Sequence, residues 1–172
     1  MTPASRAWLV GGAIMVEDDR LLLVQNRRRN GSLDWSPPGG VVDEGEDVLT
    51  GLQREVVEET GLVVDSWSEP RYLIHAVAPD MGWDLRVEAR QASSFRGELV
   101  VDDPDGIVVA SEWVSVEAVA QRLAGGPRWV SEPLVQWLAD GPASDIAPGT
   151  IETFSYVVSG TNPGEITVRR ID

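Results

Sequence analysis

Gly40-Val-Val-Asp-Glu-Gly-Glu46-Asp-Val-Leu-Thr-Gly-Leu-Gln-Arg54-Glu55-Val56-Val-Glu58-Glu59-Thr-Gly61-Leu62 is the stretch on which the reading of this chain turns. From Glu46 to Thr60 it reads as a helix, ended by Gly61 just past the last turn. At about 100° per residue, Glu55, Glu58 and Glu59 share one helix face, and Val48, Leu49, Leu52 and Val56 occupy an adjoining arc that can face a core. Carboxylates three and four residues apart repel each other. They also sit in the last turn, where the helix dipole disfavours anions. A divalent cation compensates such an arrangement. The bland alternative is a solvated acidic face. Arg54 can pair with Glu46 across the loop or orient one of the glutamates.

Working outward, the 172 residues suit one domain with a real core. Acids outnumber bases 28 to 14, and every base is Arg because the chain has no Lys. Seven of those acids and one Arg fall between residues 40 and 62. Cys is absent and His75 is the single histidine. These absences exclude disulfides, thiolate nucleophiles, Cys-ligated zinc and multi-His zinc. Without Lys there is no Schiff-base chemistry and no Gly-Lys-Ser phosphate loop. A net charge of −14 opposes stable binding to nucleic acid or to an anionic membrane. Carboxylate is what remains plentiful, so hard, oxygen-liganded Mg²⁺ or Mn²⁺ is the natural helper.

The apolar run Ala7–Val16 is too short to span a bilayer and lacks the flanks of a signal peptide, so a cytoplasmic protein is expected. Residues 7–16 and 20–26 read as a strand pair, and Ser36-Pro-Pro-Gly-Gly40 as a loop. Strands follow at Leu62–Trp67, Arg71–Ala78 and Trp83–Phe95, the last two as a long hairpin, and a short one at Glu112–Val116. Helices are expected over Ser115–Leu123 and Ser131–Leu138, with Ser115 and Ser131 as N-caps and Pro133 in a first turn. The order implies a mixed α/β or α+β layered domain over residues 1–140. Asp140–Gly149 reads as a linker. Beyond it, Ile151–Val158 and Glu165–Ile171 read as a hairpin, so residues 141–172 form a C-terminal extension packing on the domain or on a second subunit. A homodimer is thereby left open.

The stretch resembles the Nudix hydrolase signature: Gly40, Glu46, Arg54, Glu55, Val56, Glu58, Glu59, Gly61 and Leu62 fill every specified position. Its seven fixed identities would coincide by chance in roughly one chain of this length in a million. The resemblance implies an α/β/α sandwich with a mixed sheet, and a MutT-like, Mg²⁺- or Mn²⁺-dependent pyrophosphohydrolase. Such an enzyme cleaves a small nucleoside diphosphate derivative: a nucleoside triphosphate, or a nucleotide sugar such as ADP-ribose. By position, Glu55, Glu58 and Glu59 would ligate metal, with the carbonyl of Gly39 or Gly40. Glu58 is the first choice for the base that deprotonates water. Arg54 would orient a ligating glutamate, and Glu46 would hold the loop. The competing class is a catalytically silent Nudix-fold ligand sensor, which the intact motif disfavours. An isoprenoid diphosphate isomerase of this fold normally needs a reactive Cys, which is missing. Pro79, 17 residues beyond Leu62, stands near a proline of the ADP-ribose branch.

Outside the motif, Arg27, Arg28 and Arg29 form either a phosphate-contacting group or a solvated turn. Trp35 either stacks on a base or anchors a loop. Glu112 lies where relatives of the family place a substrate- or metal-side acid. The loop of Asp102, Asp103 and Asp105 could supply such an acid too, but an ordinary Asp-Pro-Asp-Gly turn is the favoured reading. His75 is read as structural, and Trp67, Trp83, Trp129 and Trp137 as packing residues.

Overall fold

A computed structural model describes residues 5–141, 150–162 and 164–172. Residues 142–149 of the expected linker, and Pro163 in the expected hairpin turn, lie outside the described residues. The elements run β1 (Arg6–Ile14), β2 (Val16–Glu17), β3 (Arg20–Arg27), β4 (Leu33–Ser36), β5 (Gly39–Val41), α1 (Val48–Thr60), β6 (Val63–Ala78), β7 (Trp83–Arg96) and β8 (Val108–Ser115). Then come α2 (Val116–Leu123), α3 (Arg128–Asp140), β9 (Glu152–Ser159) and β10 (Thr167–Arg170). A single 3₁₀ turn at Pro79–Met81 joins β6 to β7 in the expected hairpin.

The larger sheet has the order β10-β9-β6-β7-β1-β5. It is mixed: β1 runs parallel to β7 and β9 parallel to β6, while the other pairs are antiparallel. In the smaller sheet β3 is central, with β2 and β4 along one edge and β8 along the other. Alternation along the strands splits the interior in two. Ala13, Met15, Leu22, Val64 and Ala92 pack with Leu52 and Val56 under α1. Ile14, Leu21, Leu23, Tyr72, Ile74 and Ala89 pack with Val119, Leu123, Leu134 and Trp137 under α2 and α3. Helices thus cover both faces of the sheet layer, as the resemblance implies.

Several boundaries differ from the sequence reading. The first two runs are not one hairpin. β1 is apolar on both faces and lies inside the larger sheet, between β7 and the short edge strand β5, as such a strand does. Only Val16–Glu17 turns back on β3, through Asp18 and Asp19 at φ 48° and 58°. α1 starts at Val48 because Asp47 caps it, its Oδ1 accepting from the Thr50 N–H at 2.8 Å, which leaves Glu46 in the loop. The segments 62–67 and 71–78 fuse into one strand, with Pro70 absorbed at register shifts. Glu112 lies within a longer strand that starts at Val108. Ser115 holds its N-cap position without a side-chain bond. α3 begins at Arg128 rather than Ser131, so Pro133 falls inside it.

The C-terminal strands complete the larger sheet. β9 pairs with β6 from Tyr72↔Glu152 to Val77↔Val157, and Phe154, Tyr156 and Val158 are buried. No helix among the described residues is long and apolar enough to cross a membrane.

Candidate active site

Strand β5 and helix α1 bring the acidic motif against β1. Gly12 of β1 faces Gly39, and Gly11 faces Gly40. Gly39 has φ 149°, and a Cβ there would overlap the Gly11 carbonyl. A Cβ on Gly40 would overlap the Glu55 carboxylate. The glycine pair therefore lets the strand sit directly on the helix. The Gly39 N–H donates to Glu59 Oε2 at 2.9 Å, tying the loop to the last turn of α1. Gly40→Ala is expected to swing the flexible Glu55 carboxylate off Arg54, lowering metal-dependent turnover by at least about tenfold while the thermal melt changes little. Unchanged turnover would show that the loop gives way and leaves Glu55 in place.

Arg54 gathers the loop and the acids. Its Nε and Nη2 fork onto Glu46 at 3.1 and 3.0 Å, and Nη2 also donates to the Val41 carbonyl at 3.2 Å. Nη1 donates to Glu55 at 2.8 Å and lies 3.5 Å from Glu58. Asp43 is 3.4 Å away. One guanidinium therefore braces four carboxylates. Glu46 is held below the usual carboxylate range by its hydrogen bonds from Arg54 and the Asp43 N–H.

The acids on α1 behave differently. Glu59 is only 8% exposed, and burial pushes it up to about 8 against the Gly39 N–H, with Glu55, Asp103 and Glu58 adding repulsion. Burial also raises Glu55, although Arg54 opposes the shift, and the charges of Glu58 and Asp105 add to it. Among the described residues, no three carboxylate or histidine side chains are drawn together as a finished metal centre. The donor set nonetheless fits a hard cation: three glutamates on one face, two of them destabilised as anions, beside a backbone loop.

A pH dependence follows from Glu59. Its folded-state value lies above the ordinary 4.5, so its protonated form stabilises the fold. That contribution is complete below about 4.5 and is lost as pH rises through about 8. A cation favours the ionised form. The rise in melting temperature on adding Mn²⁺ is therefore expected to be larger at high than at low pH across that window, measured by calorimetry. A shift independent of pH would contradict this.

On the face of the sheet under α3, a cleft of about 180 Å³ opens beside the loop. Val10, Ile14, Tyr72, Leu85 and Val87 line it, with Pro37-Pro38-Gly39 on one side and Trp129 and Val130 on another. Arg28 stands at its wall, its guanidinium forked onto Asp34 through Nε and Nη2, both at 2.7 Å. Arg27 and Arg29 are exposed and outside the cleft lining. Trp35 carries the Arg122 guanidinium 4.8 Å from its ring centroid. Glu112 lies opposite Leu23, so it faces α2 and pairs with Arg122 at 3.1 Å instead of joining the α1 glutamates. His75 pairs with Asp84 at 3.0 Å. Asp103 makes the expected turn, accepting from the N–H groups of Asp105, Ile107 and Val108, but the turn also faces the acids of α1. Trp129 carries no local motif, and only the fold reveals it as a cleft wall, edge-on to Trp83 at 6.0 Å.

A mixed sheet between helices, with an arginine-braced acidic helix beneath a glycine loop, defines the class of α/β/α sandwich proteins to which this chain belongs. The chain belongs to the Nudix family: the family model for the NUDIX domain matches residues 6–138. It is 38% identical over 68 residues to Nudix hydrolase 7 of Arabidopsis thaliana, covering 37% of this chain and 24% of that protein. It is 30% identical over 112 residues to the human 8-oxo-dGDP phosphatase NUDT18, covering 65% of this chain and 30% of that protein. The chain thus spans well under half the length of these relatives. The solution structure of the E. coli ORF135 protein superposes with a TM-score of 0.67 at 24% identity, covering 83% of this chain and 96% of that one. Nudix hydrolases generally use divalent metal ions.

Proposed function

We propose that the chain is a Mg²⁺- or Mn²⁺-dependent pyrophosphohydrolase acting on a nucleoside diphosphate derivative. The observation that carries this reading is Gly39. It lines the apolar cleft, and its N–H holds Glu59, so one residue joins a pocket for a nucleoside to a carboxylate face for a metal-bound diphosphate.

Glu55, Glu58 and Glu59 would hold the ion, with the carbonyl of Gly39 or Gly40. When bound, the cation neutralises phosphate charge and makes water a better nucleophile. Arg54 fixes Glu55 in place and is itself clamped by Glu46. Glu58, the most exposed of the three side chains at 31% and held by Arg54 only at 3.5 Å, is the one best placed to take a proton from the attacking water. The cleft is smaller than the ~300–1,000 Å³ typical of sites for drug-sized ligands, so it suits a single ring system with the phosphates outside. Trp129 offers a stacking face, and Arg28 a guanidinium edge.

The test is product analysis over nucleoside triphosphates, ADP-ribose and 8-oxo-dGDP, the last because one relative is named for it. Nucleoside monophosphate should accumulate with Mg²⁺ and not with chelator. Binding without metal-dependent turnover of any of these compounds would instead favour a silent sensor.

A further inference from the structure

Helix α3 begins without a side-chain cap. Its N-cap residue, Pro127, offers no side-chain bond to the first amides. Pro133 lies inside the helix and has no N–H, so the carbonyl four residues earlier, that of Trp129, lacks its ordinary intrahelical donor. Trp129 and Val130, which wall the cleft, sit in that turn.

The turn is gripped from outside the span that matches the family. Arg128 Nη1 donates to the Val168 carbonyl of β10 at 2.9 Å, and its Nε donates to Glu132 at 2.6 Å. The other Glu132 oxygen accepts from the Tyr156 hydroxyl of β9 at 3.0 Å. Both strands of the C-terminal hairpin therefore hold the turn that carries the cleft wall. The family match stops at residue 138, ahead of both strands.

We propose that the C-terminal hairpin is a clasp that sets the cleft for substrate, with Arg128, Glu132 and Tyr156 as positioning residues. This rests on the cleft being the nucleoside site. The clasp fixes Trp129 before substrate arrives, so binding need not order the turn. Its loss weakens substrate binding without touching the acids that carry the chemistry.

Steady-state kinetics with Mg²⁺ on the best nucleotide substrate test this in Arg128→Met, Arg128→Lys, Tyr156→Phe and Trp129→Ala. Arg128→Met should raise KM about tenfold, the loss of roughly one charge-assisted hydrogen bond, with kcat and the Mg²⁺ midpoint unchanged. Tyr156→Phe, which keeps the ring in the core, should raise KM by a smaller factor, and Arg128→Lys should recover part of the loss. If Trp129→Ala raises KM while Arg128→Met and Tyr156→Phe do not, the clasp is wrong and the cleft assignment survives. If none of the variants changes KM, the cleft assignment fails and the clasp with it. Equal falls in kcat for Arg128→Met and Tyr156→Phe, with KM unchanged, would also overturn it.

Discussion

Replacing Glu59 by Gln is expected to lower metal-dependent kcat by at least about a thousandfold while the protein stays folded. Glu59 is the innermost acid on α1, and its carboxylate is nearly enclosed between the helix and the Gly39 N–H. As an anion it is costly there, with burial and three neighbouring acids all opposing ionisation. Gln keeps the size and still accepts from Gly39. It removes the charge that a cation needs, and with it the buried anion that destabilises the fold at high pH. The variant should therefore lose turnover and, above neutral pH and without metal, melt no lower than wild type. Glu55→Gln should lose activity for a second reason, because Arg54 then loses its ion pair with residue 55 and is left to the loop acids Glu46 and Asp43, the Val41 carbonyl and Glu58. Glu117→Gln, exposed in the first turn of α2, is the matched control and should be fully active. Activity in Glu59→Gln equal to that of the control would remove α1 from the chemistry.

A chain ending at Gly141 is expected not to fold. Truncation there removes Phe154, Tyr156 and Val158, each at most 1% exposed. Burial of such side chains is worth about 1.5–3 kcal/mol apiece. Their loss alone is comparable with the ~5–15 kcal/mol net stability of a domain. It also uncovers Tyr72, which meets Phe154 edge-on at 5.8 Å, and Leu134 and Trp137 of α3. The hydrogen-bonding edge of β6 would lie open as well, a template for aggregation. Expression in inclusion bodies, or a soluble product without a cooperative melt, is the expected outcome. A cooperative melt near that of the full chain would show that the two strands are dispensable.

The acidic helix was legible because its evidence is local. Glu55, Glu58 and Glu59 lie within five residues, and the Arg54–Glu46 pair spans a single loop. The hairpins were legible for the same reason, since Pro79–Gly82 and the turn after Ser159 join neighbouring strands. Long-range choices were not. That β1 runs parallel to β7 rather than turning back on β3 depends on which apolar strands lie on either side of it, and a continuous apolar run does not say. Glu112 shows how little sequence position fixes a face. Its place opposite Leu23 turns it toward α2, whereas one residue along, Trp113 packs under α1. The first turn of α3 escaped because Pro133 suits a helix start, and here the tertiary contacts of Arg128 extend the helix past it. Trp129 became a cleft wall by the same extension.

Mn²⁺ binding followed by electron paramagnetic resonance, in wild type and in the Glu55→Gln/Glu59→Gln double variant, tests most directly whether α1 is a cation site. Saturable binding in the wild type, displaced by Mg²⁺ and lost in the folded double variant, is expected. Equal binding in both proteins, or none in the wild type even with a nucleoside diphosphate present, would contradict it.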